Sequence, residues 1–543
     1  MALSEMNRKP LIDWNDYGEE VAGKDVLFVV TAFASSMEYA DLIWEIAAQT
    51  VSAGANVTFL WTAHKDVSIK RFRIKELLQS IDLSRAEKQF LERASKLLNC
   101  NLIFAESLDL SEQDSETSTS ENKELLRSIH STWMSRNLRT LAFSLNSKRD
   151  RELYEFDSLE YRRGRRILSK VLGEYHFDRV LIPNGRFPFQ VGLRHAAESK
   201  SIEYFFWERS FRKARRAFIQ PFQTQDVDGM NQYFLLLQKT ASPNERKGWR
   251  EFAADWLESQ ATNNKHNPFL VTGDSNRKTK TRIAPINRYR RPLAPIFTSS
   301  LDERLSNLLP EMNGWKSQHE SIVAISQRLL SMDLQPYVRL HPNLGWKSFK
   351  ELIEIVSELR RHNLPYQLPW EGPSTYLLID AAACVVTWGS TVSLESTARG
   401  IPTINMGRSR FDKLIDVTLF SPSSIFDQET LKMTPDKEKS LEAIYLTRHY
   451  GLQLERNTER PSFSPDLIQS KKAKSKWLVL TGLINQLRSS FLATSPYLVF
   501  KVMERTLGAK VALMMMRLLV NVFSSPTIHK KVIALSKSEK TPL

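Results

Sequence analysis

Two short runs hold the residues best suited to chemistry, Arg339-Leu340-His341-Pro342-Asn343 and, further on, Gly389-Ser390-Thr391. Each follows an apolar, β-branched stretch, and the second opens a segment with helical spacing, VSLESTA. A strand that ends in small hydroxyl residues before a helix presents unpaired backbone N–H groups and the positive end of the helix dipole, a combination that holds phosphate oxygens. Gly389 lets a ligand approach the main chain, and Ser390 and Thr391 add hydroxyl donors. Glu395, one turn beyond Thr391 on the same face, can accept hydrogen bonds from a ribose or sugar. The same residues also read more simply, Ser390 as a plain N-cap and Glu395 as a solvated helix position. Arg339 and His341 alternate along a strand and so share a face, and Pro342 ends it. A cation and an imidazole there suit the negative charge that grows on a phosphate-linked leaving group.

Three other strand exits carry polar residues: Asn184-Gly185-Arg186 after FDRVLIP, Glu208-Arg209 after EYFFW, and 299–303 (SSLDE) after APIFT. Metal chemistry has little support, because there is no Cys or His pair at zinc spacing, no HExxH, and no Asp-x-Asp at one of these exits. GxxxxGK[ST] and GxSxG are absent as well, which argues against a P-loop ATPase and an α/β-hydrolase.

These runs need a scaffold that brings strand ends together. Residues 23–35, 55–63 and 100–105 read as strands separated by helical stretches, which is the βαβ signal of a parallel sheet. Strands over 177–183 and 203–210 extend it. A second series begins at 294–300 and continues through 335–343, 383–390 and 401–407, each followed by a helix or a turn. The expected fold class is therefore α/β, two Rossmann-like domains facing a cleft, with ligands at the carboxyl ends of the strands. The expected boundaries are 1–240 for the first domain and 241–285 for a basic linker or surface excursion. The second domain follows over 286–435, and a helical basic tail over 436–543. Within the first domain, 106–123 is acidic and Ser/Thr-rich and reads as a polar loop. In the tail, 496–523 has a Met-rich face with Lys510 and Arg517 on the polar side, suited to packing within the protein, to a membrane surface or to a partner.

The chain has 543 residues, 42% of them hydrophobic and 25% charged, which is enough for more than one core. Its two cysteines, Cys100 and Cys384, lie at or in apolar runs and read as buried thiols of a reducing compartment, so a disulfide framework is excluded. The N-terminus has no apolar signal segment and no stretch approaches bilayer length, so a cytoplasmic protein is expected. A formal charge of +15 implies anionic company, whether nucleic acid, lipid or a phosphorylated small molecule. The charge is dispersed and has no stacking-platform motif with it, which disfavours nucleic acid.

VRLHPN, followed by STYLLIDAAACVVTWGSTVSLESTARGIPTINMG, resembles the C-terminal half of bacterial surface-polysaccharide glycosyltransferases of the capsule polysaccharide biosynthesis type. These are GT-B enzymes with two Rossmann-like domains, related through an HP motif to bacterial sialyl- and Kdo-transferases and to glycerophosphotransferases of teichoic acid synthesis. FDRVLIPNGRFPFQVGLRHAAESKSIEYFFWERS is similar to their N-terminal half. The resemblance spans about 175–415. It implies a metal-independent transfer from a nucleotide-sugar donor to a glycan or lipid-linked acceptor, without a cofactor; the basic C-terminal helices suit a peripheral contact with the inner face of the cytoplasmic membrane, where lipid-linked acceptors are found. By it His341 meets the donor phosphate, Gly389, Ser390 and Thr391 complete that site, Glu395 lies near the ribose and Arg339 adds charge. Asn184, Arg186, Glu208 and Arg209 face the acceptor. No motif marks the base; Glu208 is the first choice, with Glu371 and Asp302 behind it, and Glu208 reads equally well as an ion-pair partner of a neighbouring Arg. Where the family has Glu-Ala-Ala this chain has Glu395-Ser396-Thr397. A polyol-phosphate (CDP-glycerol-type) transferase and a non-catalytic nucleotide- or glycan-binding protein are the alternatives.

Overall fold

In the first half of the chain, strands β1 (Asp25–Thr31), β2 (Asn56–Thr62), β3 (Asn101–Phe104), β4 (Arg179–Pro183), β5 (Glu203–Arg209) and β6 (Arg216–Gln220) alternate with five helices. These are α1 (Trp14–Val21), α2 (Met37–Ser52), α3 (Ile74–Leu98), α4 (Lys148–Glu174) and α5 (Pro188–Ser199). The computed structural model describes, with short gaps, residues 10–31, 37–62, 74–108, 148–210, 216–262, 289–299, 314–344 and 349–453, and a few positions in 121–129 and 515–524. β1 has five consecutive buried residues, and successive side chains go to opposite faces. Val26, Phe28 and Val30 join Phe59 and Trp61 under α1, α2 and α3, while Leu27 and Val29 join Val180 and Ile182 under α4 and α5. A strand buried on both faces is continuously apolar, and that is how β1 and β4 read in the sequence.

The second series consists of β7 (Leu293–Phe297), α8 (Gln318–Ser331), β8 (Gln335–Arg339), α9 (Phe349–Arg361), β9 (Tyr366–Gln367), α10 (Thr375–Asp380), β10 (Val385–Thr387), α11 (Val392–Ala398), β11 (Thr403–Asn405) and β12 (Thr418–Leu419). Its sheet runs β12-β11-β10-β7-β8-β9 with every pairing parallel. In order of appearance this is 3-2-1-4-5-6, the doubly wound order, whose direction of winding reverses between β7 and β10. The first sheet runs β6-β5-β4-β1-β2-β3, the same core order with its reversal between β1 and β4, and a short strand at Leu452–Gln453, β13, lies beyond β6. The expected architecture of two Rossmann-like α/β domains is what the chain forms.

The boundaries differ from expectation at the linker and the tail. α6 (Val227–Thr240) is followed by α7 (Pro243–Thr262), a 20-residue helix inside the expected linker. Trp249, Phe252 and Trp256 recur at helical spacing there, and Trp249 stacks on Tyr445 with centroids 5.2 Å apart. Their partners are on α13 (Lys437–His449), which follows the short α12 (Gln428–Lys432). So 436–453 is not tail: after α13 the chain returns to the first sheet, where β13 (Leu452–Gln453) pairs antiparallel with β6. Fully buried Glu442 binds α13 to its neighbours, accepting from Arg246 at 2.8 Å, Arg250 at 2.6 Å and Gln238 at 2.7 Å.

Farther on, Met516 and Val520 are buried in the second domain's core, and Arg360 of α9 donates to Ser524 Oγ at 3.0 Å. Of the uses foreseen for the 496–523 face, packing within the protein is the one its described residues adopt; Lys510 and Arg517 lie outside them. Most of the expected polar loop is also outside. At its ends Glu106 meets Lys88 at 2.7 Å and Glu121 meets Arg165 at 3.5 Å. Burial pushes the Cys384 thiol up to about 12 and the half-buried Cys100 thiol to about 11, and no disulfide joins them. Among the described residues no helix is long and apolar enough to cross a membrane.

Candidate functional site

The second sheet lines up three strand exits. Phe297 is in register with Thr387 of β10 and with Arg339 of β8, so Ser299, Gly389 and His341 each stand two residues beyond one row. With neighbouring strands about 4.8 Å apart, the ends of β8 and β10 that carry these runs are about 10 Å from each other across β7. This is the place where the strand order reverses, and ligands of open α/β sheets bind at such a point. The backbone N–H of His341 donates to Thr298 Oγ1 at 2.8 Å, and Thr298 N donates to Arg339 O at 3.1 Å, which fixes the β8 exit to β7. His341 and Gly389 are half-buried and Thr391 is exposed. The structure therefore brings together on one sheet edge the two runs that the sequence singled out.

The turn into α11 is tight. Ser393 N donates to Ser390 O at 3.0 Å and Leu394 N to Thr391 O at 3.1 Å, while Ser390 Oγ accepts weakly from Val392 N at 3.4 Å. The Thr391 side chain makes no capping bond. Arg339 is only 5% exposed, so it lies beneath the surface of this edge, and burial lowers its guanidinium to about 10.

Glu395 is 8% exposed, which rules out the solvated reading. Burial raises its carboxyl from 4.5 to about 7, against the opposing pull of a Tyr376 hydrogen bond and of Arg448 and Arg399. The Tyr376 hydroxyl, itself pushed upward by burial, donates to it. The folded protein thus holds the Glu395 proton more tightly than the unfolded chain does. Its contribution to stability is complete below about pH 4.5 and is lost as the pH rises through about 7, on the order of 3 kcal/mol in all. Glu395→Gln keeps an uncharged group there, so between pH 5 and pH 8 the urea midpoint of wild type is expected to fall relative to the variant's. Parallel midpoints across that range would refute the assignment.

In the first sheet, β4 ends at its own reversal point with Asn184-Gly185-Arg186. Asn184 (φ 57°) and Gly185 (φ 89°) both turn left-handed, and a Cβ on Gly185 would stand 2.3 Å from the Phe206 ring, so only glycine fits there. Asn184 Nδ2 donates to Glu208 Oε1 at 2.7 Å across the β4 and β5 exits. Arg186 lies over the Phe187 ring at 4.7 Å, and its carbonyl accepts from Ser128 Oγ at 3.0 Å. Arg209 is half-buried opposite Ala217 of β6. Of the reserve bases, Glu371 accepts from Leu368 N at 3.0 Å as a local brace after β9, and Asp302 is outside the described residues.

Residues absent from the sequence reading complete the picture. Tyr450, buried just after α13, takes a hydrogen bond from Arg410, which follows β11, and feels the charge of Glu208 at the exit of β5. Nothing in the local pattern marks Tyr450, which lies beyond the expected domain end. The run Asp226-Val227-Asp228 has diphosphate-metal spacing, but Asp226 caps α6 and Asp228 pairs with Arg408 at 2.7 Å. Among the described residues no group of three or more His, Cys, Asp or Glu side chains is placed to hold a metal ion.

No family model and no curated protein matches the chain. Among solved structures it is similar to two Thermosulfurimonas dismutans KpsC structures. The β-Kdo 2,7 transferase is 12% identical over 61% of this chain and 88% of that one, with a TM-score of 0.32. The β-Kdo 2,4 transferase is 14% identical over 49% and 79%, with a TM-score of 0.31. It is also similar to a Neisseria meningitidis UDP-GlcNAc 2-epimerase bound to UDP-GlcNAc, at 11% identity over 92% and 100% with a TM-score of 0.19. Nothing in the site is assigned from likenesses of this size. By strand order, by its two reversal points and by the return of the chain to its first sheet, the protein has a GT-B-like fold of two Rossmann-like domains.

Proposed function

We propose that the protein is a glycosyltransferase that moves a sugar from a nucleotide-sugar to a surface polysaccharide or lipid-linked glycan acceptor. One observation carries the reading: His341 and Gly389-Ser390-Thr391 flank the reversal point of one parallel sheet, with the β7 exit between them. Such an edge suits a nucleotide phosphate, with the imidazole on one side and amide and hydroxyl donors on the other. The leaving phosphate gains negative charge as the glycosidic bond breaks, and donors fixed in advance stabilise it without reorganising. Glu208, oriented by Asn184, takes the acceptor hydroxyl proton, and holding the two substrates together supplies the rest. The scheme asks for no cofactor and no divalent cation, so turnover should survive chelation.

Incubation with CMP-, UDP- and GDP-sugars and CDP-glycerol, with release of nucleotide as the readout, tests it. Release from a sugar donor that rises with added acceptor supports the proposal. Release from CDP-glycerol alone favours a polyol-phosphate transferase, and binding without release favours a recognition protein. We further propose that the protein works at the cytoplasmic face of the membrane, a placement that flotation of the intact chain with anionic liposomes checks.

A further inference from the structure

Beyond β11 the chain runs Met406-Gly407-Arg408-Ser409-Arg410-Phe411-Asp412-Lys413. Met406 N donates to Thr387 O at 2.9 Å, so this loop leaves the sheet beside the exit of β10, one strand over from Gly389. It is fastened from outside its own domain by Asn231 of α6, which is fully buried. Asn231 Nδ2 donates to Val227 O at 2.8 Å, Ser409 O at 3.0 Å and Asp412 Oδ1 at 2.9 Å, and its Oδ1 accepts from Lys413 N at 3.0 Å. Arg408 meets Asp228 at 2.7 Å and Asp412 at 3.4 Å, Lys413 lies 4.0 Å from Asp228, and Phe411 and Leu414 enter the junction core. Arg410, half-buried among these anchors, instead meets the Tyr450 hydroxyl, which also feels the charge of Glu208. Beside it Ser409 is 4% exposed, and its hydroxyl has no hydrogen-bond partner among the described residues. Buried hydroxyls are rarely left so.

Building on the donor reading above, we infer that Arg410 is a further phosphate-binding residue, reaching the nucleotide's anionic group from the β11 side as His341 does from the β8 side. A guanidinium offers a planar fork that matches phosphate oxygens, and a loop pinned by a saturated buried amide holds that fork without an ordering cost on binding. Ser409 Oγ supplies a neighbouring donor. The loop also links donor and acceptor sides, because the same cation reaches Tyr450, whose hydroxyl feels the charge of Glu208.

Calorimetric titration of the full chain with UDP and CMP, and with uridine as the uncharged control, tests the inference. Arg410→Gln is expected to weaken UDP or CMP about ten- to a hundredfold, the worth of one charge-assisted contact, and to leave uridine unchanged. Arg410→Lys recovers part of the loss. Tyr450→Phe removes the hydroxyl but keeps the cation, so nucleotide affinity stays within about threefold of wild type. If Arg410→Gln binds like wild type while His341→Ala does not, this inference fails and the donor reading stands. If Tyr450→Phe loses as much as Arg410→Gln, Arg410 acts only by bracing the junction and the inference is overturned. If wild type binds neither of these nor GDP, the donor reading falls and takes the inference with it.

Discussion

Replacing His341 by alanine is expected to lower nucleotide release from the preferred donor by about a hundred- to a thousandfold, the usual cost of removing one group that stabilises charge in the transition state. The fold should not notice. Two contacts that pin this residue are made by its backbone, its N–H to Thr298 Oγ1 and its carbonyl to Leu344 N, and alanine keeps both. A half-buried side chain away from the core costs under about 0.5 kcal/mol to truncate, so the melting temperature should stay within about 2 °C. Combining release kinetics with a melting curve therefore separates lost chemistry from lost structure. If His341→Ala turns over like wild type, the sheet edge at β8 is not where the leaving group departs. Thr298→Ala is an informative companion: it loosens the exit while leaving the imidazole, and a smaller loss in the same direction is expected.

Gly192→Ala should unfold the first domain more readily than any comparable change, costing about 3 kcal/mol or more and lowering the urea midpoint accordingly. A Cβ at Gly192 would stand 2.1 Å from the Tyr161 carbonyl oxygen and 2.9 Å from Arg165 N, and one at Gly164 would stand 2.2 Å from the Phe189 carbonyl oxygen. The backbones of α4 and α5 thus touch at two reciprocal glycines, and neither main chain can give way like a side-chain tip. Parting them also strains the buried bonds from Tyr161 to His195 at 2.9 Å and from His195 to Glu124 at 3.0 Å. Because α5 begins directly after Asn184-Gly185-Arg186, displacing it moves the turn that orients Glu208. Any folded Gly192→Ala protein should then lose acceptor-dependent turnover while keeping nucleotide affinity. Gly173→Ala, in the partner helix α4 with nothing within 4 Å of the added methyl, is the control and should gain about 0.5 kcal/mol or more. Equal midpoints for Gly192→Ala and Gly173→Ala would refute the close-contact account.

The domain pattern was legible because a strand buried on both faces must be continuously apolar, as β1, β4 and β7 are, and each was followed by a small-residue exit. α7 was hidden because its polar and basic surroundings outweighed the spacing of Trp249, Phe252 and Trp256, whose partner Tyr445 is nearly two hundred positions away. α13 was assigned to the tail for the same reason, since what makes it part of the fold is Glu442 meeting Arg246 and Arg250, and β13 meeting β6. In a run of Ser and Thr Glu395 reads either as a ribose-facing acceptor or as a solvated position, and only burial beside Tyr376 removes it from water.

By itself the sequence determined which residue types stand at strand ends, because local alternation and turn chemistry are encoded within a few neighbouring positions. Tertiary structure alone decided which of those ends share an edge, and that Tyr450, Arg410 and Glu208 gather where the two domains meet. Strand order and the burial of a charge depend on contacts between distant segments, and no window of neighbouring residues contains them.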